Sequence, residues 1–138
     1  MGEKTFEKSW ARVVEEVVRR ISAKFPQIEA VVVFGSWSRG RGGEWSDIDI
    51  LIVVDEAEKY GVLERFAIAT ELGVRGTDIF IYSYREVESM AKKGNPLVLS
   101  ALIEGIKIIS SERIERLSRD IAKLYTRTRR MWKRLDSP

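Results

Sequence analysis

Two apolar runs are held together by the stretch "VVVFGSWSRGRGGEWSDIDILIVVD", Val31 to Asp55. Ile28–Phe34 reads as a fully apolar strand and Ile48–Val54 as a second, the pattern of strands covered by other elements. The second run opens with two carboxylates. Side chains alternate along a strand, so Asp47 and Asp49 share one face while Ile48, Ile50 and Ile52 point into the core. Like charges roughly 7 Å apart on one strand face repel, and burying either without a partner is costly. A divalent cation removes both penalties, and oxygen donors suit magnesium or manganese.

The loop before the carboxylates suits phosphate. Gly35 follows a buried strand and lets backbone N–H groups approach an anion, and the Ser36 hydroxyl adds a donor. Arg39 and Arg41 supply positive charge. Neither the Walker pattern nor the dinucleotide fingerprint is present. The alternative for the loop is a plain strand connection, and for "RGRGG" a contact with RNA. A third carboxylate, Asp78, opens the next apolar run, "DIFIY", with Ile79 and Ile81 facing away from it.

Composition narrows the chemistry. The 138 residues suffice for one domain with a core, and they include no histidine and no cysteine. Catalysis is left to carboxylates, hydroxyls, lysines, arginines or metals. No apolar run approaches the roughly 18 residues of a membrane span, and the polar opening "MGEKTFEK" does not read as a signal peptide, so the cytoplasm is the expected setting. Charged residues make up 33% and Gln27 and Asn95 are the only amide side chains, a balance that leans towards a heat-adapted source. Charge is uneven along the chain. Residues 1–106 carry 14 basic and 17 acidic side chains, against 10 and 4 in residues 107–138. The basic end is either a solvated helix face or a contact for an anion such as RNA or an acidic protein surface.

Periodicity supplies the remaining elements. Phe6 to Phe25 recur at helical spacing until Pro26. Tyr60–Leu72 reads as a helix with Val62, Phe66, Ile68 and Leu72 as its apolar points, and Asp78–Tyr82 as a third strand. Ser83 and Glu86 have capping-box spacing for a helix to about Lys93, and Asn95–Pro96 suits the start of the next. Lys107–Ile109 is a short fourth strand. From Ser111 the points Ile114, Leu117, Ile121, Leu124, Thr128, Met131 and Leu135 predict one long basic amphipathic helix, packed on the domain, on a second copy or on another protein. The expected architecture is α/β (α+β): a small mixed sheet of about four strands flanked by helices, over residues 1–110, followed by the basic helix at 111–138.

"GS", ten residues, then "DID", with a later strand opening on Asp78, resembles the signature of the DNA polymerase β-like nucleotidyltransferase superfamily, closest to its minimal stand-alone members. Arg39–Gly40 and "KKGNPLVLSALIEGIKI" match that group too, and the likeness spans about residues 28–109. The resemblance implies transfer of a nucleoside monophosphate from a triphosphate, ATP above all, to an acceptor hydroxyl, with release of pyrophosphate. Asp47, Asp49 and Asp78 would hold two Mg²⁺ or Mn²⁺ ions, with Asp78 also placed to take the hydroxyl proton. Gly35, Ser36 and Arg39 would bind the triphosphate, and Trp37 or Trp45 either stacks on the base or packs. Small members of the family often work with a HEPN-type partner protein, some as antitoxins. The acceptor stays open between a partner protein, an RNA end and a small molecule, as does self-association. The rival reading is a non-catalytic module that keeps the fold and binds a partner or RNA.

Overall fold

The computed structural model describes residues 2–35, 47–128 and 131–136. Its elements, in chain order, are α1 (Gly2–Lys24), β1 (Ala30–Phe34), β2 (Ile48–Val53), α2 (Val62–Leu72), β3 (Thr77–Tyr82), α3 (Tyr84–Lys92), α4 (Pro96–Leu99), β4 (Ile106–Ser110), α5 (Glu112–Ala122), β5 (Tyr125–Thr128) and β6 (Met131–Arg134). A 3₁₀ turn, Asp55–Lys59, leads from β2 towards α2, and a π-helical turn, Ser100–Glu104, extends α4.

Four strands form a mixed sheet in the order β3-β2-β1-β4. β1 pairs antiparallel with both β2 and β4, whereas β2 and β3 run parallel. A parallel pair needs a crossover, and α2 provides it. Helices cover both faces, which is why β1 and β2 could be apolar throughout. On one face, Val17 and Ile21 of α1 and Ile68 and Leu72 of α2 pack on Val31, Val33, Ile50 and Ile52. On the other, Val87, Leu99, Leu102 and Ile114 pack on Val32, Leu51 and Val53. Among the described residues no helix is long and apolar enough to cross a membrane.

Two helix starts are written in local chemistry. The Ser83 hydroxyl accepts the Glu86 N–H at 3.2 Å, and the Glu86 carboxylate accepts the Ser83 N–H at 2.8 Å. Asn95 accepts the Val98 N–H at 3.1 Å, with Pro96 in the first turn. Glu86 also holds Arg65 of α2 through two bonds of 2.7 and 3.0 Å, so one carboxylate caps α3 and ties it to the crossover helix.

The chain's end corrects an expectation. The spacing from Ile114 to Leu135 predicts one helix, but α5 stops at Ala122, and β5 and β6 pair antiparallel as a two-stranded sheet. Ile114, Leu117 and Ile121 are buried as an apolar stripe should be, while Met131 and Leu135 are 73% and 56% exposed, so no seam continues. Tyr, Thr and Thr in "YTRT" favour strand, and tertiary contacts settle the matter. The Tyr125 hydroxyl donates to the Lys92 carbonyl at 3.1 Å. Arg127 forks onto Glu104 at 2.7 and 2.8 Å and lies 4.7 Å from the Trp132 ring. Much of the basic charge is internally paired: Lys107 with Glu115, Arg113 with Glu29 and Asp55, Arg134 with Asp136.

Burial pushes the Glu86 carboxyl up, but the Arg65 guanidinium and the Ser83 N–H outweigh it and hold the group below its ordinary range. A carboxylate lowered on folding stabilises above its unfolded pKa, and that contribution fades as pH falls through the folded value. Glu86→Gln is therefore expected to cost about 1–2 kcal/mol near neutrality in chemical denaturation, through the lost fork and weakened cap. The gap to wild type should narrow below about pH 4.

Candidate active site

The site residues are placed by the register of three strands. β1 ends on Phe34, whose partner in β2 is Asp49, and Asp49 is in turn the partner of Asp78 in β3. Cross-strand partners share a face and sit on strands about 4.8 Å apart. The two carboxylates thus stand side by side at the end of the sheet where β1 leaves and β2 and β3 enter. Asp49 is half-buried and Asp78 is exposed. Asp47 directly precedes β2 and is exposed.

Gly35 has a role the sequence did not disclose. Its φ is +85°, a conformation that side chains disfavour. A Cβ at this position would lie 2.5 Å from Asp49 Oδ2 and 3.4 Å from its Cγ. The Asp49 carboxylate therefore rests against the Gly35 backbone, in space that only a hydrogen leaves open. The glycine of "GS" and the second Asp of "DID" are two halves of one contact.

The donor set is the test of metal fit. Asp49 and Asp78 are cross-strand partners and both offer carboxylate oxygens, the donor chemistry of a hard divalent cation. Among the described residues, no group of three or more acidic, histidine or cysteine side chains is arranged to hold an ion. Of the three expected ligands, Asp49 and Asp78 are cross-strand partners, and Asp47 lies two residues before Asp49. Magnesium commonly takes one or two carboxylates, waters and substrate phosphates, so a pair fits it. The remaining expected phosphate ligands, Ser36 and Arg39, lie outside the described residues, as do Arg41, Trp37 and Trp45.

One feature beside the site was missed. A groove of about 230 Å³ runs along the outer edge of β3, lined by Val62, Arg65 and Phe66 of α2 and by Asp78, Phe80 and Tyr82 of β3. Val62 and Phe66 were expected to face the core, yet they are 72% and 69% exposed. The signal was available. At 100° per residue, Val62 and Phe66 form one stripe of α2, and Ile68 and Leu72 form another on the far side. Only one of them can face the sheet.

Comparison with known proteins agrees with this architecture. Residues 14–124 match the family described as nucleotidyltransferase domain. The chain belongs to that family, a branch of the polymerase β-like superfamily. A protein of Methanocaldococcus jannaschii, named as a candidate protein adenylyltransferase, is 25% identical over 149 residues, covering 94% of this chain and 97% of the relative. A solved structure from Sulfolobus solfataricus, described as a candidate nucleotidyltransferase, superposes with a TM-score of 0.55 at 22% identity, over 74% of this chain and 81% of that one. A toxin–antitoxin structure solved with AMP-PNP also gives 0.55, at 16% identity over 78% and 82%. These two likenesses concern the fold.

The Gly35–Asp49 contact yields a prediction. Gly35→Ala is expected to cost about 1–3 kcal/mol in chemical denaturation, from backbone strain plus the collision with the carboxylate. In an Asp49→Ala background only the strain remains, so the cost should fall to about 1 kcal/mol. Equal costs in both backgrounds would show that the two residues do not touch.

Proposed function

We propose that this protein transfers a nucleoside monophosphate from a nucleoside triphosphate, ATP in the first instance, to a hydroxyl of a partner protein. The observation that carries the reading is the Asp49–Asp78 pair, set by strand register against Gly35 within the span that matches the nucleotidyltransferase domain family. The chain's 25% identity to a relative named as a candidate protein adenylyltransferase supports a protein acceptor, and the fold shared with a toxin–antitoxin structure is in keeping with an antitoxin role; a HEPN-type partner is what the sequence resemblance implies.

Each residue has a task. Asp49, Asp47 and Asp78 would hold Mg²⁺ or Mn²⁺, which supplies charge stabilisation at the attacking and leaving oxygens of an in-line displacement. Asp49, half-buried and fixed by Gly35, keeps its carboxylate in place before substrate arrives. Gly35, Ser36 and Arg39 bind the outer phosphates of the triphosphate. Asp78, exposed at the sheet edge, receives the acceptor O–H proton as that oxygen bonds to the α-phosphorus. The bond from the α-phosphorus to the bridging oxygen breaks, and pyrophosphate leaves with its electron pair. No histidine is required, and none is present.

One observation favours a second reading, a non-catalytic module: among the described residues no three acidic side chains converge on an ion position. Calorimetry with a non-hydrolysable ATP analogue separates the two. Under the catalytic reading, wild type binds the analogue only with magnesium, and Asp47→Asn with Asp49→Asn weakens binding at least about tenfold, or about 1.4 kcal/mol. Failure of wild type to bind any of the four triphosphate analogues with magnesium would overturn the catalytic reading and leave the module.

A further inference from the structure

β3 is an edge of the sheet, and it is the edge that carries Asp78. The Ile48 N–H donates to the Gly76 carbonyl and the Val54 N–H to the Tyr82 carbonyl. By the alternation of a parallel ladder, Asp78, Phe80 and Tyr82 turn their backbone groups to β2, and Thr77, Ile79 and Ile81 turn theirs outward. Thr77 N–H is satisfied by the Val74 carbonyl at 3.2 Å, and Arg65 reaches the Ile81 carbonyl at 3.4 Å. Among the described residues, that leaves the C=O of Thr77, the N–H and C=O of Ile79 and the N–H of Ile81 directed outward beside α2.

Edges are commonly blunted by lysine, proline or a bulge. "TDIFIY" contains neither lysine nor proline, and its pairing with β2 is regular along its whole length. The opposite wall of the groove is an apolar stripe of α2 left in water, with Val62 and Phe66 exposed by 72% and 69%. The cation in the groove, Arg65, is already committed to both oxygens of Glu86 and to the Tyr60 carbonyl. It offers little to a phosphate backbone. The lining therefore suits a neutral, apolar polypeptide in extended conformation, and disfavours a nucleic-acid strand.

We infer that the α2–β3 groove receives an extended, apolar segment of the acceptor protein as an added strand and so delivers its hydroxyl-bearing residue to Asp78. Main-chain bonds to Ile79 and Ile81 supply register, and Val62 and Phe66 take alternate side chains. A rise of about 3.3 Å per residue puts the hydroxyl-bearing residue only one or two positions beyond the one paired with Ile79. The fate of that hydroxyl rests on the nucleotidyl-transfer reading, but the docking geometry does not.

The test uses the full chain and a synthetic strand peptide, acetyl-Ser-Val-Thr-Val-Thr-Val-Thr-amide, beside a version N-methylated at alternate residues. Saturating peptide should slow amide exchange at Ile79 and Ile81 by at least about tenfold, and the N-methylated peptide should not. Val62→Glu with Phe66→Glu should weaken peptide binding at least about tenfold while leaving binding of the magnesium–triphosphate analogue unchanged. Unchanged exchange at both amides, or equal protection by the methylated peptide, would overturn the proposal. Concentration-dependent protection without peptide, in a particle of twice the mass, would assign the groove to a second copy and overturn it too. Protection by peptide in a protein that binds no triphosphate would uphold the docking groove and defeat the catalytic reading. Triphosphate binding without protection would do the reverse.

Discussion

The parallel pairing of β2 with β3 is the constraint on which the site depends. It makes Asp49 and Asp78 neighbours although 29 positions separate them in the chain. That arrangement is unfavourable by itself, because two carboxylates on adjacent strands repel and one of them is half-buried. The fold bears this cost because β2 cannot slip. A shift of one residue would turn Asp49 into the apolar core between the sheet and α1–α2, in the place of an isoleucine. The apolar core on the α1–α2 face therefore fixes a charged pair on the opposite face.

Gly35 completes the arrangement from the third strand. Its positive φ turns the chain away from β1, and its lack of a side chain leaves room for the Asp49 carboxylate. The same residue was singled out in sequence for phosphate binding. Its observed contact is with the carboxylate, so one glycine serves the turn and the metal-binding candidate together. The edge strand then extends the site sideways. Asp78 faces β2 with its backbone and borders a groove whose far wall is the exposed stripe of α2.

What could be read from sequence was whatever local interactions decide. The Ser83–Glu86 box, the Asn95–Pro96 start and the apolar strands were legible because the deciding partners lie within a few residues. The motif carried the family for the same reason, since its residues lie close together along the chain. Features set by distant partners were not legible. The residues after Ala122 keep helical spacing, yet the β5–β6 pair is decided by Glu104, Ser100 and Lys92. Likewise, α2 carries two apolar stripes, and only packing against the sheet selects Ile68 and Leu72 over Val62 and Phe66. The adjacency of Asp49 and Asp78 belongs with these, because register is a property of two strands and not of either sequence.

The central claim is that this carboxylate pair is an ion site for a triphosphate. The most direct measurement is anomalous diffraction from crystals grown with Mn²⁺ and a non-hydrolysable ATP analogue. The account predicts a manganese peak bridging Asp49 and Asp78, within about 2.1–2.3 Å of a carboxylate oxygen and of a phosphate oxygen. Nucleotide bound elsewhere, with no anomalous peak at the pair, would contradict it.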